Sequence, residues 1–254
     1  MKFKFIPPFR AMDYPPGFEP SHKRLLREIE AEGLLQGVEW ELDEGAPGPT
    51  VENREELAQV VPGLLKIVRE ACESGKYDAI IVLGGLDPGL YAAREIGVQF
   101  GIPVVGATHS GIIFACALGN KFSVIDTLEC MAIMIRQNIM TYGLNEKCAS
   151  VRSIEWPVPK LRKPNSPEAV EAFVQESIEA IEKDGADVLV CGCTATLWVQ
   201  PFAQKRLREM GYDVPVLHGY KCGIEMAKAL ASMKASQSKF AFPSKVPKKK
   251  AVAR

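Results

Sequence analysis

Cys193 is the residue whose surroundings best suit chemistry. It ends an apolar run of strand character, Asp187-Val-Leu-Val-Cys-Gly, and Thr194 follows it. A thiol at the carboxyl end of a buried parallel strand meets free backbone N–H groups and the start of the next helix. We expect those dipoles to stabilise the thiolate and lower the thiol pKa, so that Cys193 can act as a base or nucleophile. The alternative is a buried structural cysteine, the commonest fate of a free thiol.

A second stretch has the same layout, Asp78-Ala-Ile-Ile-Val-Leu-Gly84. An acidic residue opens the strand in both stretches, and Gly84 stands where Cys193 stands in the other copy. Further along the chain, Ile102-Pro-Val104 corresponds to Val214-Pro-Val216. We interpret the pattern as an internal duplication of two α/β halves that face one another.

The composition is that of an ordinary globular protein. The chain has 254 residues, of which 47% are hydrophobic, enough for a sizeable core in one large or two small domains. Its 31 basic and 31 acidic residues give a net charge of +0, so nucleic acid and anionic membranes are not expected partners. No apolar run reaches the roughly 18 residues of a membrane span. The start of the chain is too short for a signal-peptide core. We expect a cytoplasmic protein.

The seven cysteines are odd in number and lie mostly within apolar segments. That is not the pattern of a secreted disulfide framework, so we expect them to be reduced. One residue separates Cys191 from Cys193, and the three histidines are far apart, so no metal site is expected. Cys191 lies within the apolar run of the strand and is expected to belong to the core.

Strands and helices alternate along the chain, which predicts an α/β fold with parallel sheets. Together with the duplication, this predicts two pseudo-symmetric, Rossmann-like halves with the site in the cleft between them. Strands are predicted at 3–6, 38–42, 79–83, 103–105, 122–126, 148–154, 188–191 and 214–217. Helices are predicted to begin at Ser21 and to span about 53–74, 90–100, 111–118, 128–142, 168–184, 201–210 and 223–233.

The domain boundaries follow from the same pattern. Residues 1–118 form the first half, whose last helix is able to exchange between halves, and residues 119–234 form the second. Residues 235–254 contain Lys248-Lys-Lys250 and little apolar content, so they are predicted to be a flexible basic tail.

Four segments carry a resemblance to a known family. They are Asp87-Pro-Gly-Leu-Tyr-Ala-Ala-Arg-Glu95, Ile102-Pro-Val-Val-Gly106, Cys148-Ala-Ser-Val-Arg152 and Gly192-Cys-Thr194. In this order they resemble the aspartate/glutamate/hydantoin racemase superfamily, most closely its hydantoin racemase branch. The resemblance implies a pseudo-twofold α/β fold with the site between the halves and no cofactor. It also implies two cysteines that exchange a proton at a carbon next to a carbonyl or carboxylate.

The chain departs from that family's pattern at two places. The first family cysteine is Gly84 here, while the second is Cys193. A single cysteine that faces a glycine is similar to arylmalonate decarboxylase, a superfamily member that protonates one face of an enediolate. After the first strand, many racemases have an Asn-Pro-Asn-Thr-like turn, where this chain has Pro7-Pro-Phe-Arg10.

Other strand-end residues are candidates for substrate binding. His109 could orient the substrate or supply a proton, and Arg10 could hold a carboxylate, although an exposed arginine is the simpler alternative. Asp87 is a replacement base or a helix cap. For His218 and Cys222, packing is the favoured role. The residues expected to contact substrate are Pro8, Arg10, Gly84, Gly85, Leu86, Thr108, His109 and Thr194.

We therefore expect a cofactor-independent racemase or isomerase in which Cys193 transfers a proton at a carbon next to a carbonyl or carboxylate. Thr194, Gly85 and neighbouring N–H groups would stabilise the enolate oxygens. The substrate would be a hydantoin, an amino acid or another small carboxylate or cyclic amide, and a homo-oligomer is compatible with the sequence. One alternative is a single-cysteine decarboxylase of a malonate-type acid. Another is a non-catalytic protein that binds small acids on the same fold.

Overall fold

The computed structural model describes residues 1–11, 21–161 and 166–243. The loop predicted before the first helix lies mostly outside these ranges, as does most of the basic tail. The strands are β1 Lys2–Ile6, β2 Arg10–Ala11, β3 Glu39–Leu42, β4 Pro47–Gly48, β5 Ala79–Val82, β6 Val104–Gly106, β7 Phe122–Asp126, β8 Cys148–Ser153, β9 Val188–Cys191 and β10 Val216–Leu217.

Apart from two early starts and a short helix at 158–161 that was not predicted, the helices lie close to the predicted positions. They are α1 Ser21–Ala31, α2 Arg54–Glu73, α3 Leu90–Phe100, α4 Ala107–Leu118, α5 Glu129–Thr141, α6 Val158–Leu161, α7 Pro167–Glu182, α8 Gln200–Glu209 and α9 Gly219–Ser232. Helix α4 begins at Ala107 rather than Gly111, and α9 begins at Gly219 rather than Gly223. The predictions at these two starts were wrong, because each helix begins within two residues of the end of its strand, with no intervening loop.

Two four-stranded sheets, parallel throughout, form the centre of the molecule. Their strand orders are β3-β1-β5-β6 and β8-β7-β9-β10, so the second sheet repeats the spatial order of the first. The core strands are completely buried because helices cover both faces of a parallel sheet. The predicted α/β fold with two pseudo-symmetric halves is confirmed.

Equivalent aspartates tie the strands together at the start of β5 and β9. Asp78 accepts a hydrogen bond from the N–H of Lys2 at 2.7 Å. Asp187 accepts bonds from the N–H groups of Asn120 and Lys121 at 2.9 and 3.0 Å. Both carboxylates therefore satisfy donors at the entry to the neighbouring first strand, which explains why an acidic residue opens both stretches.

The last helix of each half reaches the other sheet. Helix α4 packs on β9, and α9 packs on β5 and β6, while α4 and α9 also pack on each other. Small residues permit this close approach: a Cβ atom at Gly111 would lie 3.0 Å from Val190, and one at Gly219 would lie 3.1 Å from the carbonyl oxygen of Ala107. The division of the chain after residue 118 stays a prediction.

The helices bury an apolar stripe against the sheets. In α1 this stripe contains Leu25, Leu26 and Ile29. In α2, Val60 is buried and Val61 is half-buried, and in α7 the buried stripe contains small residues beside Phe173 while Ile178 and Ile181 are half-buried.

The first residues beyond α9 contact the first half. The side chain of Gln237 bonds both the N–H and the carbonyl oxygen of Val104 at 3.0 Å, as a neighbouring strand would. The ring of Phe242 lies 5.4 Å from that of Tyr91 and 5.6 Å from the guanidinium of Arg94. Flexibility of residues 235–254 stays a prediction. Within the described ranges, no helix has the length and apolar character needed to cross a bilayer.

Candidate active site

A cavity of about 60 Å³ lies where β1, β5 and β9 end, between the two halves. Gly84 and Cys193 both line it, as the internal repeat predicts. Of the residues expected to contact substrate, Pro8, Gly85, Leu86 and Thr194 lie there too. The other lining residues are Phe9, Ser21, His22, Val51, Pro88, Met131, Val158 and Ala195.

Cys193 stands between β9 and a 3₁₀ helix, Thr194–Val199, which it caps. Its sulfur accepts a hydrogen bond from the N–H of Ala195 at 3.4 Å, and the side chain is 6% exposed. Burial, followed by the negative charge of Asp126, raises the pKa of the Cys193 thiol well above its usual range. The expectation of a lowered pKa was wrong, because loss of water outweighs the few N–H dipoles that reach the sulfur. The resting group is a neutral thiol.

Gly85 makes the closest approach between the halves at this site. A Cβ atom there would lie 2.8 Å from the Cα of Cys193 and would also collide with the carbonyl oxygen of Gly192. Gly84 has φ +140°, and a Cβ atom there would lie 2.9 Å from Cδ of Pro88. These two glycines let the backbone of the first half meet the backbone that carries the thiol.

Asp126 is the last residue of β7 and is completely buried. Its Oδ1 accepts bonds from the N–H of Thr127 at 2.5 Å and from the Thr127 hydroxyl at 2.9 Å. Burial raises the pKa of Asp126 to about 6, although the two bonds from Thr127 oppose that shift. Its Oδ2 faces Gly192, where an added Cβ atom would lie 2.8 Å from it.

Asp87 is a helix cap. It has φ +48°, and its carboxylate accepts bonds from the N–H groups of Thr108 at 3.1 Å and His109 at 2.7 Å and from the hydroxyl of Tyr142 at 2.8 Å. It therefore satisfies the start of α4 rather than that of α3. Burial raises the pKa of Asp87 to about 7, which these bonds and Arg94 oppose.

Thr108 and His109 lie in the first turn of α4 and do not line the cavity. The Thr108 hydroxyl donates to the carbonyl oxygen of Gly192 at 3.3 Å, which links α4 to the strand end that carries Cys193. The Nδ1 atom of His109 lies 3.3 Å from a guanidinium nitrogen of Arg94. Burial lowers the pKa of His109 to about 4, and the charge of Arg94 adds to this effect.

Arg10 also lies outside the thiol cavity. Its guanidinium pairs with Glu44 at 2.8 Å, and half of its side chain is exposed. It lines a neighbouring cavity of about 630 Å³ that shares Phe9 and His22 with the thiol cavity.

His22 lines the thiol cavity, although it was not among the residues predicted to contact substrate. It is the second residue of α1, and its Nδ1 lies 2.5 Å from the hydroxyl oxygen of Tyr220 on α9. Burial lowers the pKa of His22 to about 4, so the ring is neutral at pH 7. Its place in the first turn of the helix after β1 could have indicated a site residue, because helix starts meet at the carboxyl edge of a parallel sheet.

The burial of His218 and Cys222 favours the packing role that was expected of them. Both are buried, and burial lowers the pKa of His218 to about 3 and raises that of Cys222 to about 12. Cys191 is buried at the end of β9, and burial raises the pKa of its thiol well above the usual range. Within the described ranges, no three His, Cys, Asp or Glu side chains cluster as metal ligands would.

The sequence of the chain is related to those of known racemases. The sequence model of the Asp/Glu/Hydantoin racemase family matches residues 22–227. Hydantoin racemase from Rhizobium meliloti is 32% identical over 198 residues, which cover 76% of this chain and 78% of that protein.

Solved structures share the fold. Allantoin racemase from Klebsiella pneumoniae matches with a TM-score of 0.80 and 24% identity, over 100% of this chain and 96% of that one. A liganded double mutant of arylmalonate decarboxylase matches with a TM-score of 0.61 and 15% identity, over 91% and 92% of the two chains.

Two facing α/β halves with a thiol at one strand end, together with this sequence relationship, define an enzyme of the racemase and isomerase type. The chain belongs to the Asp/Glu/Hydantoin racemase family. Membership favours an enzyme over the non-catalytic binding protein.

Proposed function

We propose that the protein racemises a hydantoin-type cyclic amide without a cofactor, and that Cys193 transfers the proton at the ring carbon next to the carbonyl. The position of Cys193 carries the proposal: it is the thiol of the cavity, at the end of β9, where both halves meet. The relatives named hydantoin racemase support the substrate class.

The charge of the cavity favours a neutral ring over a carboxylate. Among the described lining residues there is no Lys or Arg. His22 is the basic side chain in that list, and its ring is neutral. The acidic groups Asp126 and Glu52 both raise the pKa of Cys193, after burial. A dianionic substrate would meet acidic groups without a compensating cation, which is costly in a site that excludes water.

Hydrogen-bond donors close to the thiol suit an enolate. The backbone at Gly85 lies against Gly192 and Cys193, and Thr194 begins the 3₁₀ helix beside them. N–H groups and a hydroxyl at a strand end stabilise the oxygen that becomes negative when the neighbouring carbon loses its proton. Neutral His22 on the cavity wall adds a further polar group.

A decarboxylase that uses the same thiol once is the second candidate. Gly84 favours it, because the position across the cavity from Cys193 carries no proton donor of its own. In that reaction the carboxyl carbon leaves as CO₂, and Cys193 protonates one face of the resulting enediolate.

Proton NMR in D₂O separates these reactions. We expect a single-enantiomer 5-substituted hydantoin to exchange its ring C–H for deuterium while its optical rotation decays. An arylmalonate that loses CO₂ and gains one deuterium, with no exchange in the hydantoin, would replace the racemase proposal by the decarboxylase. No exchange with any hydantoin, amino acid or malonate would contradict both.

A further inference from the structure

A separate cavity, of about 390 Å³, lies between helices α1, α8 and α9 and the 3₁₀ helix that follows Cys193. The residues described along its wall are all different from those of the thiol cavity. On α1, the thiol cavity is lined by Ser21 and His22, whereas this cavity is lined by Arg24 and the turns after it. The proposed function makes no use of this cavity, so its polar groups need their own explanation.

Two nitrogen atoms of residues that line this cavity are buried without a hydrogen-bond partner. They are Nη2 of Arg24 and Nδ1 of His218. The side chain of His218 as a whole is nearly excluded from solvent, with 6% of the residue exposed. Buried polar groups are almost always paired in native proteins, because an unpaired donor loses its bonds to water without compensation. Two such groups at one cavity indicate a ligand that supplies their acceptor atoms.

The charges at this cavity favour a ligand with a single negative charge. Arg24 has a weak ion-pair partner, because its Nε lies 3.6 Å from a carboxylate oxygen of Glu28, whose side chain is 54% exposed. The ammonium of Lys221 is paired more closely, at 2.5 Å from Glu32. A dianion would meet these two carboxylates with too little positive charge to compensate it. The guanidinium of Arg24 is therefore the group that attracts an anion.

His218 supplies a second hydrogen bond without a second charge. Burial, followed by the charge of Lys221, lowers the pKa of His218 to about 3, so the ring is neutral at pH 7. A neutral imidazole carries one N–H, and the tautomer with its proton on Nδ1 makes the unpartnered atom a donor. One guanidinium N–H and one imidazole N–H match the two oxygens of a carboxylate.

The rest of the wall is apolar. Leu25, Ile29 and Trp198 line the cavity and are buried. Phe202 lines it too, although this large aromatic residue is 48% exposed, and its ring lies 6.4 Å from that of Trp198 in an edge-on arrangement. A concave site with apolar walls and a few convergent donors is typical of small-molecule binding. The aromatic residues provide a surface for the apolar body of a ligand.

We propose that this cavity binds a small monocarboxylate with an apolar or aromatic body. Its carboxylate accepts hydrogen bonds from Nη2 of Arg24 and Nδ1 of His218, and its body packs against Trp198 and Phe202. The bound acid would contact α1, the 3₁₀ helix and α9 together. The first two of these elements carry His22 and Thr194 of the thiol cavity, so a ligand here would brace the elements that form part of the wall of that cavity.

Titration of the full chain with phenylacetate at pH 7, followed by NMR of the added acid, tests the site. We expect saturable binding of one phenylacetate per chain. Phenylacetamide has nearly the same shape without the charge, and acetate has the charge without the ring, so each should bind at least about tenfold more weakly. A cavity that holds only water would give no saturable binding of phenylacetate, and that result would overturn the proposal. Equal affinity for phenylacetamide or acetate would overturn it as well.

Three variants locate the bound phenylacetate. Arg24→Met removes the unpartnered donor and keeps an apolar stem, so the Kd should rise at least about tenfold. Arg10→Met is the matched control, because that guanidinium lines the neighbouring cavity of about 630 Å³, and its Kd should stay at the wild-type value. Phe202→Ala changes a half-exposed residue and keeps the test decisive if Arg24→Met folds poorly; its Kd should rise about threefold or more. Wild-type affinity in folded Arg24→Met or Phe202→Ala, or a loss of affinity in Arg10→Met, would contradict the site.

Discussion

Gly85 and Cys193 meet backbone to backbone across the two halves, at a distance that leaves no space for a side chain. A Cβ atom at Gly85 would lie 2.8 Å from the Cα of Cys193. This contact joins the two halves at the cavity that Gly84 and Cys193 also line.

Gly85→Ala should therefore damage both stability and activity. The clash is with backbone atoms, which cannot rotate away, so we expect a loss of about 1–3 kcal/mol in the free energy of unfolding. Urea unfolding measures it. Gly223→Ala in α9 is the control, because its Cβ atom would lie 3.5 Å from Ile81, an ordinary contact, and should be tolerated. Equal stability of Gly85→Ala and wild type would contradict the close approach.

Gly84→Cys should restore a second thiol only at a cost. The position has φ +140°, and the new Cβ atom would lie 2.9 Å from Pro88, so the strain should lower stability by about 1–3 kcal/mol. Gly84→Ala carries the same strain without a thiol and is the matched control. We expect a small gain in racemisation over Gly84→Ala, measured by polarimetry. A Gly84→Cys variant as stable as the wild type would disprove the strained backbone.

The repeat explains why so much of the fold could be predicted from sequence. Buried parallel strands give continuous apolar runs, and the aspartates that open two of them recur because each bonds the entry of a neighbouring strand. The early starts of α4 and α9 escaped prediction, since the residues Thr108 and His109 have no helical preference that distinguishes them from a loop. Asp87 caps α4 although it lies 22 residues before His109 in the chain. The local spacing of residues does not predict a cap at that separation.

The site was harder to predict than the fold. Strand-end positions such as Pro8 and Leu86 did reach the cavity, because topology alone brings them there. The predicted lowering of the Cys193 pKa was wrong, because that pKa depends on burial and on Asp126, which comes from another strand. Arg10 pairs with Glu44, and this ion pair could not be predicted from the sequence.

His218 should make the protein sensitive to acid. Its pKa is about 3 when folded, because of burial, against an ordinary value near 6.5. Between these values the unfolded chain binds a proton that the folded chain does not, so stability falls as pH falls from about 6 towards 4. We expect His218→Gln to lower the slope of unfolding free energy against pH by up to about 1.4 kcal/mol per unit. Identical slopes for variant and wild type would contradict a buried neutral imidazole.

Gln237 should contribute to stability although it lies beyond the last helix. Its side chain satisfies both the N–H and the carbonyl oxygen of Val104 at the edge of the first sheet. Gln237→Ala should cost about 1–2 kcal/mol, since two hydrogen bonds are lost. Thermal unfolding provides the measurement, with exposed Gln36→Ala as the control. No difference between the two variants would show that this contact does not hold residues 235–243 in place.

Cys193→Ser tests whether the thiol of Cys193 transfers the proton. Serine has nearly the same size as cysteine, but its hydroxyl is a much weaker acid, so proton transfer should fail while the fold is kept. The measurement is the rate of C–H exchange in D₂O for a single-enantiomer hydantoin, followed by NMR, with Cys191→Ser at the end of β9 as the matched control. We expect a loss of at least roughly 10²–10⁴-fold in Cys193→Ser and little change in Cys191→Ser. Exchange at the wild-type rate in folded Cys193→Ser would contradict it.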